Sequence, residues 1–145
     1  MVKSYELDVE RLNEIYTKYI DTVEKYQCYA NVQRIILSSR ELLMGFRRGT
    51  VKIGYCYVGN TGLEYVRHCV ILSNEKVIDV TVAMKYGHLI DMNKVKYWVF
   101  KEMASDEYLE KIIENDYYLD LKEAIKDDEE GFKQLAAKRH WVLKG

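Results

Sequence analysis

The chain has 145 residues, of which 48% are hydrophobic and 31% charged, and its formal net charge is -1. That size suits one domain, residues 1–145, with one core, and the hydrophobic fraction excludes a disordered or fibrous chain. The even mixture of both charge signs argues against nucleic acid and an anionic membrane as partners.

The first residues lack the apolar run of a signal peptide, and no stretch approaches the roughly 20 apolar residues needed to cross a bilayer. The expected location is therefore cytoplasmic. Cys28, Cys56 and Cys69 form an odd, unclustered set that fits neither a disulfide framework nor a zinc site, so no metal or other cofactor is expected. Thirteen tyrosines and a complete lack of proline are unusual, but neither points to a function.

Leu12, Ile15, Tyr16, Tyr19 and Val23 recur at helical spacing with charged residues between them, which predicts an amphipathic helix over residues 8–24. A second helix is expected to open at Cys28. Val32, Ile35, Ile36, Leu42 and Leu43 carry its period up to Gly45, a natural stop. Cys28 then occupies a first turn, where unpaired backbone N–H groups and the helix dipole favour a thiolate. Asn31 projects from nearly the same side and could orient a neighbour or donate to a developing oxyanion, while Gln27 reads as an oxyanion donor or as an exposed cap residue.

From Val51 the period changes to two. Residues 51–58 and 64–72 read as strands joined by the turn Gly59-Asn60-Thr61-Gly62, and Ser73-Asn74-Glu75-Lys76 closes a second hairpin into residues 77–82. If Leu72 pairs with Val77, then Val70 faces Asp79 and His68 faces Thr81. His68 and Asp79 become diagonal neighbours on one face, about 7 to 8 Å apart, and Cys69 points to the other. Cys56 and Cys69 read as core thiols.

Residues 83–91 read as a loop, and a further strand is expected at 94–103. Ser105 starts a helix with Leu109, Ile112 and Ile113 as its buried stripe, and residues 118–139 continue as one or two charged helices. The acidic run Asp127-Asp128-Glu129-Glu130 reads as a solvated helix start, with His88 and His140 as solvated side chains.

The pattern of Cys-Tyr-Ala-Asn opening a helix, Gly54-Tyr55 in an apolar strand, His68 in the next strand and Val77-Ile78-Asp79-Val80-Thr81 in the one after resembles a family of small bacterial and phage-associated proteins. In that family Ala-Trp follows the His and Pro follows the Asp; here Cys69-Val70 and Val80 stand instead. The family in turn resembles the papain-like and transglutaminase-like superfamily. The resemblance spans roughly residues 26–82 and implies Cys28 as nucleophile, His68 as base and then acid, and Asp79 as the group that fixes the imidazole.

The expected fold is α+β, with helices packed on a small antiparallel sheet around a papain-like or transglutaminase-like core. The expected activity is that of a cysteine hydrolase or acyltransferase acting on an amide or thioester of a peptide, protein or small molecule. The competing reading is a non-catalytic, protein-binding module of phage or mobile-element origin on the same scaffold.

Overall fold

The computed structural model describes residues 3–19, 28–59, 64–79, 81, 95–114 and 125–145. In chain order the elements are β1 (Lys3–Leu7), α1 (Val9–Tyr19), α2 (Cys28–Ser38), α3 (Arg40–Arg48), β2 (Val51–Gly59), β3 (Glu64–Ser73), β4 (Lys76–Ile78), β5 (Lys96–Met103), α4 (Ser105–Glu114), α5 (Lys126–Lys138) and β6 (Val142–Lys144). The α+β class expected from the sequence holds.

The sheet departs from a purely antiparallel one. Its order is β2-β5-β1-β4-β3-β6, and β2 also pairs with β3, so the first five strands close into a barrel. Two pairings are parallel, β1 with β4 and β3 with β6. Closure requires curvature, and the β2–β5 ladder supplies it with a bulge: Tyr55 faces Lys101 while Cys56 faces Val99, leaving Phe100 as the extra residue. At the far end of β2, a side chain on Gly59 would collide with the Glu64 carbonyl at 2.2 Å, so only glycine lets β2 and β3 meet there.

The hairpin register is the one counted from the turn. Leu72 pairs with Val77 and Ile71 with Ile78, through a turn in which Asn74 and Glu75 both take positive φ. β4 ends at Ile78, sooner than the expected strand over 77–82, and Asp79 lies just beyond its end.

The single helix expected from Cys28 to Gly45 is two helices. Ser39 takes an extended backbone, and its Oγ accepts from the Leu42 N–H at 3.3 Å, which ends α2 and caps α3. The stop is Gly49, whose φ of 82° suits a residue without Cβ, rather than Gly45. β1 was not evident from its sequence; it lies between β5 and β4 in the barrel wall, with Tyr5 and Leu7 buried.

Packing overturns part of two further expectations. In α4 the buried residues are Ser105, Tyr108 and Ile112, whereas Leu109 and Ile113 are 54% and 60% exposed. The Tyr108 ring meets Phe46 of α3 edge-on at 5.8 Å, which fixes that rotation. In the acidic run at the start of α5, Asp127, Asp128 and Glu130 are exposed but Glu129 is buried. Residues 83–91 and 118–124, and with them the expected loop and His88, lie outside the described residues. His140 is exposed, as expected.

The core unites the barrel with its helices. Leu12 and Ile15 of α1, Val32, Ile35 and Ile36 of α2, Leu42 and Phe46 of α3, and Phe132 and Ala136 of α5 all join one buried cluster with the strand residues. Among the described residues, no helix is long and apolar enough to cross a membrane.

Candidate functional site

The site forms where β3 changes partners. Residues 64–66 of β3 pair with β6, and residues 71–73 pair with β4. His68 lies between these two stretches, opposite Cys56 of β2. α2 packs on β3 and carries Cys28 at its first position, so the helix start is brought to the strand that holds the imidazole. Its burial of Val32, Ile35 and Ile36 fixes which way the first turn faces.

The three residues implied as a triad come together here. His68 Nε2 lies 2.9 Å from each oxygen of Asp79, so the ring donates through Nε2–H to the carboxylate. Cys28 lies near enough to the same ring to favour its charged form. With Nε2 engaged by Asp79, Nδ1 is the nitrogen left for sulfur. Cys28 is only partly buried, whereas Asp79 is 2% exposed, so the three residues run from a half-buried cysteine to an interior carboxylate.

Burial is the largest influence on His68 and opposes its charge. The Asp79 carboxylate overrides it, through both charge and hydrogen bond, and contact with Cys28 adds to that, so the imidazole is pushed up to about 10. The ring is thereby held ready to carry a proton. The other two cysteines are both buried, and burial pushes each thiol well up from its ordinary value. Cys56 donates to the His68 carbonyl at 3.6 Å and, with Cys69, is part of the core, as expected.

A fourth member was not evident from the sequence. Tyr97 of β5 is fully buried, and its hydroxyl donates to Asp79 Oδ2 at 2.9 Å. This second donor braces the carboxylate from the barrel wall. The alternation of β5 gives Tyr97 and Val99 the same side, but only the pairing of β5 with β1 and β2 reveals that this side meets Asp79.

Asn31 is fully buried, and its Nδ2 donates to Thr81 Oγ1 at 3.0 Å. The amide thus ties α2 to the segment following Asp79. Gln27 lies outside the described residues. Among the described residues, no group of three metal-ligating side chains converges.

Comparison with known proteins gives no matching family model, no similar curated protein and no matching solved structure. The chemistry therefore has to be read from the side chains themselves.

Proposed function

We propose that the protein is a cysteine hydrolase or acyltransferase of papain-like or transglutaminase-like type, acting on an amide or thioester. The single observation that carries this reading is the meeting of Cys28, which is only partly buried, with an imidazole that Asp79 holds at 2.9 Å. A core histidine with a satisfied hydrogen bond needs no half-buried cysteine beside it.

In the forward step the Cys28 S–H gives its proton to His68 Nδ1 as sulfur forms a bond to the carbonyl carbon. The carbonyl electron pair moves onto oxygen, and backbone N–H groups at the start of α2 lie at the end of the helix that favours negative charge. Collapse of this intermediate breaks the bond to the leaving amine or thiol, which takes the proton from His68. A thioacyl group remains on Cys28. Water or an amine then attacks that group, loses its proton to His68, and frees the thiol. Asp79, braced by Tyr97, keeps the imidazole in one tautomer throughout.

A simple acyl donor tests this. With p-nitrophenyl acetate, mass spectrometry is expected to find the acetyl group on Cys28, with little on Cys28→Ser or His68→Ala protein. Acylation spread equally over the three cysteines, or none at all, would contradict the proposal and favour a binding module.

A further inference from the structure

Arg67 precedes His68 on β3, so its side chain leaves the opposite face of the strand. There its Nε donates to Glu129 Oε2 at 2.7 Å and its Nη1 donates to the Tyr29 hydroxyl. The guanidinium carbon also lies 5.4 Å from the centre of the Tyr29 ring, within cation–π range. Tyr57, which faces Arg67 across the β2–β3 ladder, donates to the same Glu129 oxygen at 2.8 Å. Burial and the Glu129 hydrogen bond both push the Tyr57 hydroxyl up from its ordinary value, so it remains a donor. The Arg67 and Glu129 side chains are 8% and 7% exposed.

This network lies beside the residues proposed for catalysis but includes none of them. Tyr29 follows Cys28 and Arg67 precedes His68, so the contact between Arg67 and Tyr29 joins the residues flanking the sulfur and the imidazole. Any displacement of that contact passes through one backbone link on each side to the Cys28–His68 separation. Glu129 determines where the guanidinium sits, because a buried arginine keeps its place only while its charge is balanced and its planar donors are matched. α5 is held in turn by Phe132, which stacks on Tyr57 with ring centres 5.1 Å apart.

We propose that Glu129 is a positioning residue: by holding Arg67 against Tyr29 it fixes the first turn of α2, and with it the approach of the Cys28 sulfur to His68. The inference rests on the reading of Cys28, His68 and Asp79 given above. It assigns a role to α5, the helix furthest in sequence from Cys28, and turns one residue of its acidic run from a solvated charge into part of the site's frame.

The test is the pH profile of iodoacetamide alkylation at Cys28, mapped by mass spectrometry on the whole chain at a temperature where circular dichroism shows each variant folded. Glu129→Gln removes the charge, and Tyr29→Phe removes a single hydroxyl while leaving the Arg67–Glu129 pair intact. Both are expected to lose on the order of tenfold in the Cys28 rate at neutral pH, since a displacement of about an ångström suffices for that, and to move the profile to higher pH. A merely stabilising network would lower the unfolding temperature and leave the profile in place, which would overturn the inference. Should Glu129→Gln fail to fold, Tyr29→Phe decides alone: an upward shift supports the inference and an unchanged profile overturns it. Equal labelling of all three cysteines in the wild type would overturn the reading of the site itself, a result distinct from a selective wild type with unaffected variants.

Discussion

Replacing Asp79 by Asn separates charge from shape at the inner end of the site. The amide keeps an oxygen that can accept from His68 Nε2–H, and its nitrogen can donate to Tyr97, so the hydrogen-bond geometry at 2.9 Å survives with its direction toward Tyr97 reversed. What goes is the negative charge that outweighs burial in holding His68 at about 10 against an ordinary 6.5. The balance between a neutral thiol–imidazole pair and a thiolate–imidazolium pair shifts about tenfold for each pH unit by which the imidazole falls. Each unit lost moves that balance about tenfold toward the neutral pair, and a return to 6.5 moves it by on the order of a thousandfold. Site-resolved iodoacetamide labelling of Cys28 near neutral pH reads this directly. The same variant carries a stability signature. A group whose value is raised on folding contributes in full below its unfolded value and loses that contribution as pH rises through the folded one. The wild type therefore sheds the His68 contribution between pH 6.5 and about 10. Asp79→Asn flattens that alkaline decline in unfolding temperature. An unchanged Cys28 labelling rate together with an unchanged decline would refute the assignment of Asp79.

Tyr97→Phe removes one donor from Asp79 and should cost about 1 kcal/mol by urea unfolding, with a smaller loss of Cys28 labelling than Asp79→Asn gives. Phe132→Ala empties a fully buried position against Tyr57, and a loss of about 3 to 5 kcal/mol in the same assay is expected. Cys56 and Cys69, buried in the strands, should resist iodoacetamide for as long as the fold holds and react once denaturant is added; rapid native labelling of either would contradict their place in the core.

The site was more legible in the sequence than the barrel around it. A hairpin closed by a short polar turn sets its own register, so counting back from Asn74-Glu75 placed His68 within reach of Asp79 with no knowledge of the remaining strands. The apolar period of α2 put Cys28 at a helix start for the same local reason. β1 escaped because five residues carry almost no periodic signal, and its partners β4 and β5 lie far along the chain. The break at Ser39 escaped because one extended residue leaves the apolar spacing nearly intact on either side. In α4 the stripes through Tyr108 and Ile112 and through Leu109 and Ile113 share one spacing and differ by a single residue, and only Phe46 of α3 decides between them. Glu129 and Tyr97 are the instructive misses. Each matters through a partner in another element, Arg67 and Asp79, and nothing in the neighbouring residues marks this acid among four or this tyrosine among thirteen.

The chemistry proposed for Cys28 depends most on its pairing with His68, and the measurement that bears on that pairing most directly is the rate of native-state alkylation at each cysteine in wild type and His68→Ala. The expected result is fast labelling confined to Cys28 in the wild type and its collapse to the rate of an ordinary exposed thiol in the variant. Indifference of Cys28 to the loss of the imidazole would contradict it.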